Sequence, residues 1–256
     1  MKTTRLGKTE LRVSRVGFGG IPIQRLSEDE AIRVVQRTLD LGVTFIDTAN
    51  GYSTSEERIG KAIAGRRDEV IIATKTGARD GATAREHLEL SLTRLDTDFI
   101  DLWQLHGVSD FEKYEQVLAP GSVLETAREA QQEGQVRHIG ITSHSMDVAL
   151  EAVASGHFET IQFPLNFVTN EAVEELLPLA KEHDVGFIAM KPMGGGMLEN
   201  ANLAIKWLLQ FDTAVPDPGI EKVEEIEQIV GIVNGPGELT SQDSQAIEAI
   251  REEVGT

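Results

Sequence analysis

The sequence contains no cysteine, which excludes structural disulfides and thiolate ligation of zinc or an iron–sulfur cluster within these residues. Its six histidines lack the close spacing of a zinc site, so no metal is expected. Long apolar runs are missing as well. Nothing approaches the ~18–20 residues of a membrane span, and the polar N-terminus carries no signal-peptide pattern. A cytoplasmic location without a membrane partner is the expectation. Cations are scarce too: 24 Lys and Arg face 42 Asp and Glu, a net charge of −18. That sign argues against non-specific nucleic-acid binding and is most simply read as a source of solubility.

What is present is a 256-residue chain, 40% hydrophobic, a length typical of a single α/β barrel. Residues 3–6 and 11–13, either side of Gly7-Lys8, read as a β-hairpin. Val13 to Phe18 reads as a strand ending in Gly19-Gly20. A helix then begins at the Ser27 cap, with Glu30 as its capping-box partner and Ala31, Val34, Val35 and Leu39 on its apolar face; Gly42 ends it. Strands follow at 43–47, 70–75, 99–106, 136–141, 160–163, 185–190 and 213–216. Helices alternate with them at 55–64 (capped by Ser55), 83–94 (capped by Thr83), 121–133, 145–155 (capped by Ser145), 170–183 (capped by Asn170), 200–210 and 222–233. Residues 107–120 read as a polar loop.

Counted from Val13, eight strands and eight helices alternate, which predicts a closed (β/α)8 TIM barrel. An open doubly wound sheet is disfavoured, because no Gly-x-Gly-x-x-Gly follows the first strand. One domain is expected over 1–237. Residues 238–256 form a C-terminal helical extension, with an extra helix from Ser241 to Glu253.

The stretch Gly42-Val43-Thr44-Phe45-Ile46-Asp47-Thr48-Ala49-Asn50-Gly51-Tyr52 stands out, because an apolar strand ends in a carboxylate that is costly to bury without a partner. The next two strands end in Lys75 and His106. Each has an ordinary structural use alone; three consecutive strand ends define one site at the mouth, joined by Tyr52. Alternation along each strand puts Asp47 with Phe45, Lys75 with Ala73, and His106 with Gln104 and Leu102, while Trp103 and Leu105 face the helices. The group suits proton transfer to a carbonyl oxygen. An ammonium near Tyr52 should lower a phenol that ordinarily titrates near ~10. Asp47 would hold Lys75 and keep it charged, and His106 would orient the carbonyl or share the proton.

These residues carry a family resemblance. The 42–52 run with Ser55-Glu56-Glu57-Arg58-Ile59-Gly60, the Ala73-Thr74-Lys75 strand end and Asp101-Leu102-Trp103-Gln104-Leu105-His106 resemble the aldo-keto reductases over essentially the whole barrel. The resemblance implies a catalytic tetrad of Asp47, Tyr52, Lys75 and His106, with NADP(H) or NAD(H) exchanging a hydride with a small aldehyde or ketone. The run 189–196, with its three glycines, resembles a branch whose members often carry a Cys-rich C-terminal iron–sulfur segment, absent from this sequence. The implied cofactor wall comprises Gly19, Gly20, Ile21, Asp47, Ser143, His144, Gln162, Met190, Lys191, Pro192, Met193, Gly195, Pro218, Gly219, Ile220, Lys222 and Gln228.

Departures cluster in that wall. Thr142-Ser143-His144 stands where the family has a Ser-Asn pair, and Met190 where an aromatic usually stacks on the nicotinamide. Gly219, Ile220 and Glu225, with Glu221 and Lys222 between, replace the Lys-Ser and Arg that hold a 2′-phosphate, so NADH or dual use is a live reading. A cofactor-binding sensor or interaction subunit with little turnover is the alternative from another class; an unrelated phosphate-binding barrel leaves the four mouth residues unexplained. A monomer is expected, with a partner protein left open. Loops 107–120 and 193–200 are short with few aromatics, which suggests an open, poorly selective mouth or one completed by a partner or by residues beyond these.

Overall fold

In a computed structural model describing residues 1–254, eight parallel strands form the barrel and helices surround it. Two short antiparallel strands, β1 (Thr3–Arg5) and β2 (Arg12–Ser14), precede it. The barrel strands are β3 (Phe18–Gly19), β4 (Phe45–Asp47), β5 (Ile71–Thr76), β6 (Ile100–Leu105), β7 (Val136–Thr142), β8 (Thr160–Pro164), β9 (Gly186–Met190) and β10 (Ala214–Asp217). Each pairs with its sequence neighbour. The ring closes where the Gly17 and Gly19 amides donate to the carbonyls of Pro216 and Pro218, both at 2.8 Å.

The expected hairpin forms and plugs the barrel floor. Its Leu6 and Val13 join Phe45, Ala73, Leu102, Ile188 and Val215 in the interior cluster. Gly7 has φ +54°, and a Cβ there would lie 2.2 Å from the Gly186 amide nitrogen, so glycine is required for this approach. Arg5 secures the same corner through Asp184 at 2.6 Å.

The helices are α1 (Glu28–Asp40), α2 (Ser55–Ala62), α3 (Gly81–Leu95), α4 (Phe111–Leu118), α5 (Val123–Gln132), α6 (Met146–Ala154), α7 (Leu176–Glu182), α8 (Ala201–Leu208), α9 (Val223–Asn234) and α10 (Ser241–Val254). The Ser27–Glu30 capping box is present at α1. Trp103 and Leu105 are fully buried in the layer between strands and helices, as strand parity requires. The C-terminal α10 packs through Ile247, which is 2% exposed, and Arg251 donates from Nε to the Phe167 carbonyl at 2.5 Å. Gly255 and Thr256, the last residues of the expected extension, lie outside the described residues.

Several expectations are corrected. Val13 belongs to β2, and the first barrel strand is only Phe18–Gly19, because the chain must turn from the floor into the wall. Residues 107–120 contain α4, whose Asp110 caps the amide of Lys113 at 2.8 Å. Ser55 is not a cap: it is buried and donates from Oγ to the Gly20 carbonyl at 2.8 Å. Asp80, not Thr83, caps α3, accepting from the Thr83 amide. The 170–183 segment splits into a 3-10 turn, Glu171–Val173, and α7, and neither Asn170 nor Ser145 caps through its side chain. The strand expected at 213–216 runs to Asp217, which puts a further acid at the mouth.

Candidate active site

Register determines what meets at the mouth. Asp47 lies opposite Ala73, two residues before Lys75 on the same face of the strand, and Lys75 lies opposite Gln104. The Lys75 side chain reaches back to Asp47 Oδ2 at 2.5 Å and to the Thr48 carbonyl at 2.7 Å. Both partners are buried, at 2% and 3% exposure. Lys75 Nζ also lies 5.2 Å from the centre of the Tyr52 ring, and the Tyr52 and His106 rings meet edge-on at 5.8 Å. Asp47, Tyr52, Lys75 and His106 therefore share one site.

Tyr52 sits in a loop tied down from both sides. The Arg94 guanidinium donates to the Asn50 carbonyl at 3.0 Å and reaches the buried Glu56 at 3.3 Å. Glu56 in turn accepts from Thr74 Oγ1 at 2.7 Å. On the other side Ser53 donates to Gln24 at 2.9 Å. Glu56 and Arg94 thus position the phenol without touching it. No pairing signal in the sequence could reveal this, since the two residues lie on different helices.

The electrostatics follow from burial. Burial works to discharge Lys75, but Asp47, Tyr52 and Asp217 outweigh it, and the ammonium titrates above its ordinary value. His106 is lowered to about 4 by burial first and by Lys75, Arg79 and His144 next, so its imidazole is neutral at pH 7. The expected lowering of Tyr52 is not found. Burial pushes the phenol up; Lys75 pulls it down, but Asp47 and Asp217 push it up again, and the net position is above the ordinary value.

A cavity of about 860 Å³ opens over these residues. Its wall includes Gly19, Gly20, Ile21, Asp47, His144, Gln162, Met190, Lys191, Pro192, Met193, Gly195, Pro218, Gly219, Ile220 and Gln228. Two expected wall residues are elsewhere. Ser143 is buried in the turn into α6, where its hydroxyl accepts from the Ser145 amide at 3.0 Å. Lys222 is exposed ahead of α9, its amide donating to Glu225 Oε2 at 3.1 Å. Arg25 lines the cavity without a forewarning in the sequence, and Thr142, Glu221 and Glu225, which stand at the departures from the family pattern, line it as well.

The most consequential addition is Asp217, 6% exposed at the end of β10. Gln162 Nε2 donates to it at 3.2 Å and to Asp47 at 3.4 Å, while Gln162 Oε1 accepts from Gln104 at 3.2 Å. Gly140 leaves the space this network needs, because a Cβ there would lie 3.1 Å from the Gln104 side chain and 2.1 Å from Thr160 Oγ1. Asp217 escapes notice in the sequence only because the strand is expected to stop one residue short. Its position at a strand end is the same signal that marks Asp47, Lys75 and His106.

Fold and site together define a barrel whose mouth gathers an acid, a lysine, a tyrosine and a neutral histidine under one cavity. The aldo/keto reductase family model matches residues 15–203, and the chain belongs to that family. The Uncharacterized oxidoreductase YqkF of Bacillus subtilis (strain 168) is 33% identical over 212 residues, covering 77% of this chain and 67% of that protein. The chain spans about two thirds of the length of several curated relatives it matches. Among solved structures, the holo form of aldo-keto reductase AKR11C1 from Bacillus halodurans superposes with a TM-score of 0.85 at 27% identity, covering 98% of this chain and 96% of that one. An aldo/keto reductase from Klebsiella pneumoniae, solved in complex with NADP and acetate, shares the fold with a TM-score of 0.83 at 22% identity and covers 98% and 95% of the two chains.

Proposed function

We propose that this protein reduces small aldehydes or ketones to alcohols, reversibly, with a nicotinamide cofactor, NADP(H) or NAD(H). The observation that carries this reading is the buried Lys75 ammonium, bonded to Asp47 and lying 5.2 Å from the Tyr52 ring beside a neutral His106. The raised Tyr52 phenol is an acid that keeps its proton until a developing alkoxide takes it. The nearby ammonium stabilises the phenolate left behind, and Asp47 holds that ammonium in place. Neutral His106 donates a ring N–H to the carbonyl oxygen and so orients it without competing as an acid.

The cavity fits the cofactor that this chemistry requires. Its volume is in the upper part of the ~300–1,000 Å³ range of small-molecule sites. Cationic Lys191 and Arg25, the backbone at Gly195 and Gly196, and the apolar faces of Met190, Pro192 and Met193 line it. A Cβ at Gly195 or Gly196 would meet nothing within 4 Å, and both have positive φ, so the backbone there is open to close approach by a phosphate. When bound, the nicotinamide supplies the hydride. Gln162 and Met190 would hold its ring, and Lys191 its phosphates. The Klebsiella relative's complex with NADP supports the assignment by likeness of fold.

A cofactor-binding module with little turnover is the second reading. What favours it is Gln162, both ends of whose amide already serve protein partners. Fluorescence titration with NADH and NADPH, followed by turnover with an aldehyde panel, decides between them. Binding with steady oxidation of the reduced cofactor supports the reductase; binding without turnover across the panel supports the module.

A further inference from the structure

Asp217 has no task in the chemistry above. It is the last residue of β10, in register with Met190 of β9, and it faces Gln162 of β8 across the cavity floor. Its Oδ2 accepts from Gln162; its Oδ1 is buried and has no hydrogen-bond partner among the described residues. A buried carboxyl oxygen without a partner demands an explanation. The charged and titratable groups around it are Asp47 from β4, Tyr52 from the loop after β4, Lys75 from β5 and Lys191 beyond β9. From β3 and β8 only Gly19 and Gln162 meet the cavity, and neither carries charge. Two acids therefore share one ammonium, and Lys75 is committed to Asp47 at 2.5 Å.

Burial, followed by repulsion from Asp47 and a hydrogen bond with it, holds the Asp217 carboxyl well above the usual carboxylate range and so favours its uncharged form. Adding a cation beside it would reverse that balance. The cofactor assigned above is such a switchable neighbour: its ring is neutral when reduced and cationic when oxidised. A ring that exchanges a hydride with a carbonyl held by Tyr52 and His106 must occupy the inner end of the cavity. Asp217 belongs to that end, close enough for its charge to move the Tyr52 phenol.

We propose that Asp217 registers the oxidation state of the bound nicotinamide, staying protonated beside the reduced ring and releasing its proton to solvent beside the oxidised one. The inference rests on the cofactor reading above. The site thereby takes up the oxidised form with a net loss of up to one proton and the reduced form with none. The affinity ratio of the two forms becomes a function of pH. High pH favours the oxidised cofactor, and so the direction of alcohol oxidation, beyond what the proton consumed in the reaction itself dictates.

The test is calorimetric titration with NADP+ and with NADPH near pH 7, each in two buffers of different ionisation heat, which counts protons released on binding. Wild type should release roughly half a proton or more with NADP+ and none with NADPH. Asp217→Asn should abolish the release and weaken NADP+ roughly 10- to 100-fold, the one to two pH units by which an adjacent opposite charge moves a carboxyl, with NADPH within about threefold. Asp217→Leu, checked for folding by circular dichroism, should behave alike. The proton count needs only wild type, so it remains decisive if both variants are unstable. Binding of NADP+ without proton release overturns the proposal, as does an equal loss of both forms in the variants, which would make Asp217 a contact rather than a charge sensor. If neither form binds, nor NAD+ or NADH, the cofactor reading itself fails and this inference falls with it.

Discussion

The two ends of this barrel bury charge in opposite ways. At the floor, Asp101 at the start of β6 is 1% exposed and fully engaged: Arg67 meets it at 2.7 Å, Arg137 at 2.8 Å and the Ile72 amide at 2.9 Å. The same guanidiniums sandwich the Phe99 ring at 4.1 and 3.9 Å. At the mouth, Asp47 and Asp217 compete for one lysine, and Gln104 Oε1 and Asp217 Oδ1 have no partners among the described residues. One acid with two cations is a brace. Two acids with one cation is a site held away from its own electrostatic optimum, as functional sites commonly are.

The sharpest test of that contrast removes a single oxygen from the mouth. Tyr52→Phe should cut carbonyl reduction by about 10²- to 10⁴-fold in steady-state assays. Thermal stability and NADPH binding should stay near wild type. Retention of wild-type turnover would remove Tyr52 from the proton-donor role. At the floor the pattern should invert. Asp101→Asn strands two arginines and should cost about 2–3 kcal/mol in urea denaturation, at or below the bottom of the range for a broken buried pair because Arg137 is half exposed, with turnover per folded molecule unchanged. A large fall in turnover with little loss of stability would mean that the floor is not merely structural.

Next in size is the pH dependence of stability. The unfolded imidazole titrates near 6.5, whereas His106 in the folded chain takes a proton only at about 4. Its contribution to stability is thus fully present above pH 6.5 and lost as pH falls towards 4. Between those limits wild type should lose about 2 kcal/mol more than His106→Gln, measured by denaturant titration at each pH. Asp217 runs the other way. With its folded value raised, its contribution is present below the ordinary carboxylate pKa and lost as pH rises, a decline that Asp217→Asn should remove. Equal slopes in wild type and both variants would refute the opposed assignment.

The smallest effect is expected at the outer end of the cavity, where solvent screens charge. Arg25 and Glu221 form a pair at 2.9 Å there, and Glu225 is taken up by the amides of Glu221 and Lys222. Glu221→Gln removes an acid from the cavity wall and frees Arg25. It should shift the ratio of dissociation constants towards NADPH over NADH by about three- to fivefold. No shift in fluorescence titrations would place the 2′ end of the cofactor away from Glu221.

Much of this was legible in the residues. Alternating apolar runs and capped helices specify a barrel, and strand parity correctly sends Ala73 and Leu102 inward and Trp103 outward. Asp47 and Lys75 fall together because neighbouring parallel strands bring their C-terminal ends to the same rim. The misreadings share a cause. Ser55 and Thr83 resemble caps because small hydroxyl residues precede apolar periodicity, yet Ser55 is drawn into the core by the Gly20 carbonyl, and Asp80, three residues earlier, caps more strongly than Thr83. Ser143 and Lys222 belong to the cofactor wall by family resemblance alone, and local turn bonding claims the hydroxyl of one and the amide of the other.

What the sequence by itself determined is the period of each element and the face on which each strand residue lies, since both follow from backbone geometry over a few residues. Only the tertiary structure decided the charge balance of the mouth. Asp217 is 170 residues from Asp47 in the chain, by subtraction of their numbers, and becomes its neighbour only because the ring closes and β8 holds Gln162 between them. Whether a buried carboxyl keeps its proton depends on which groups stand within a few ångströms in a medium of low polarity. That is a property of the closed barrel, not of any segment of it.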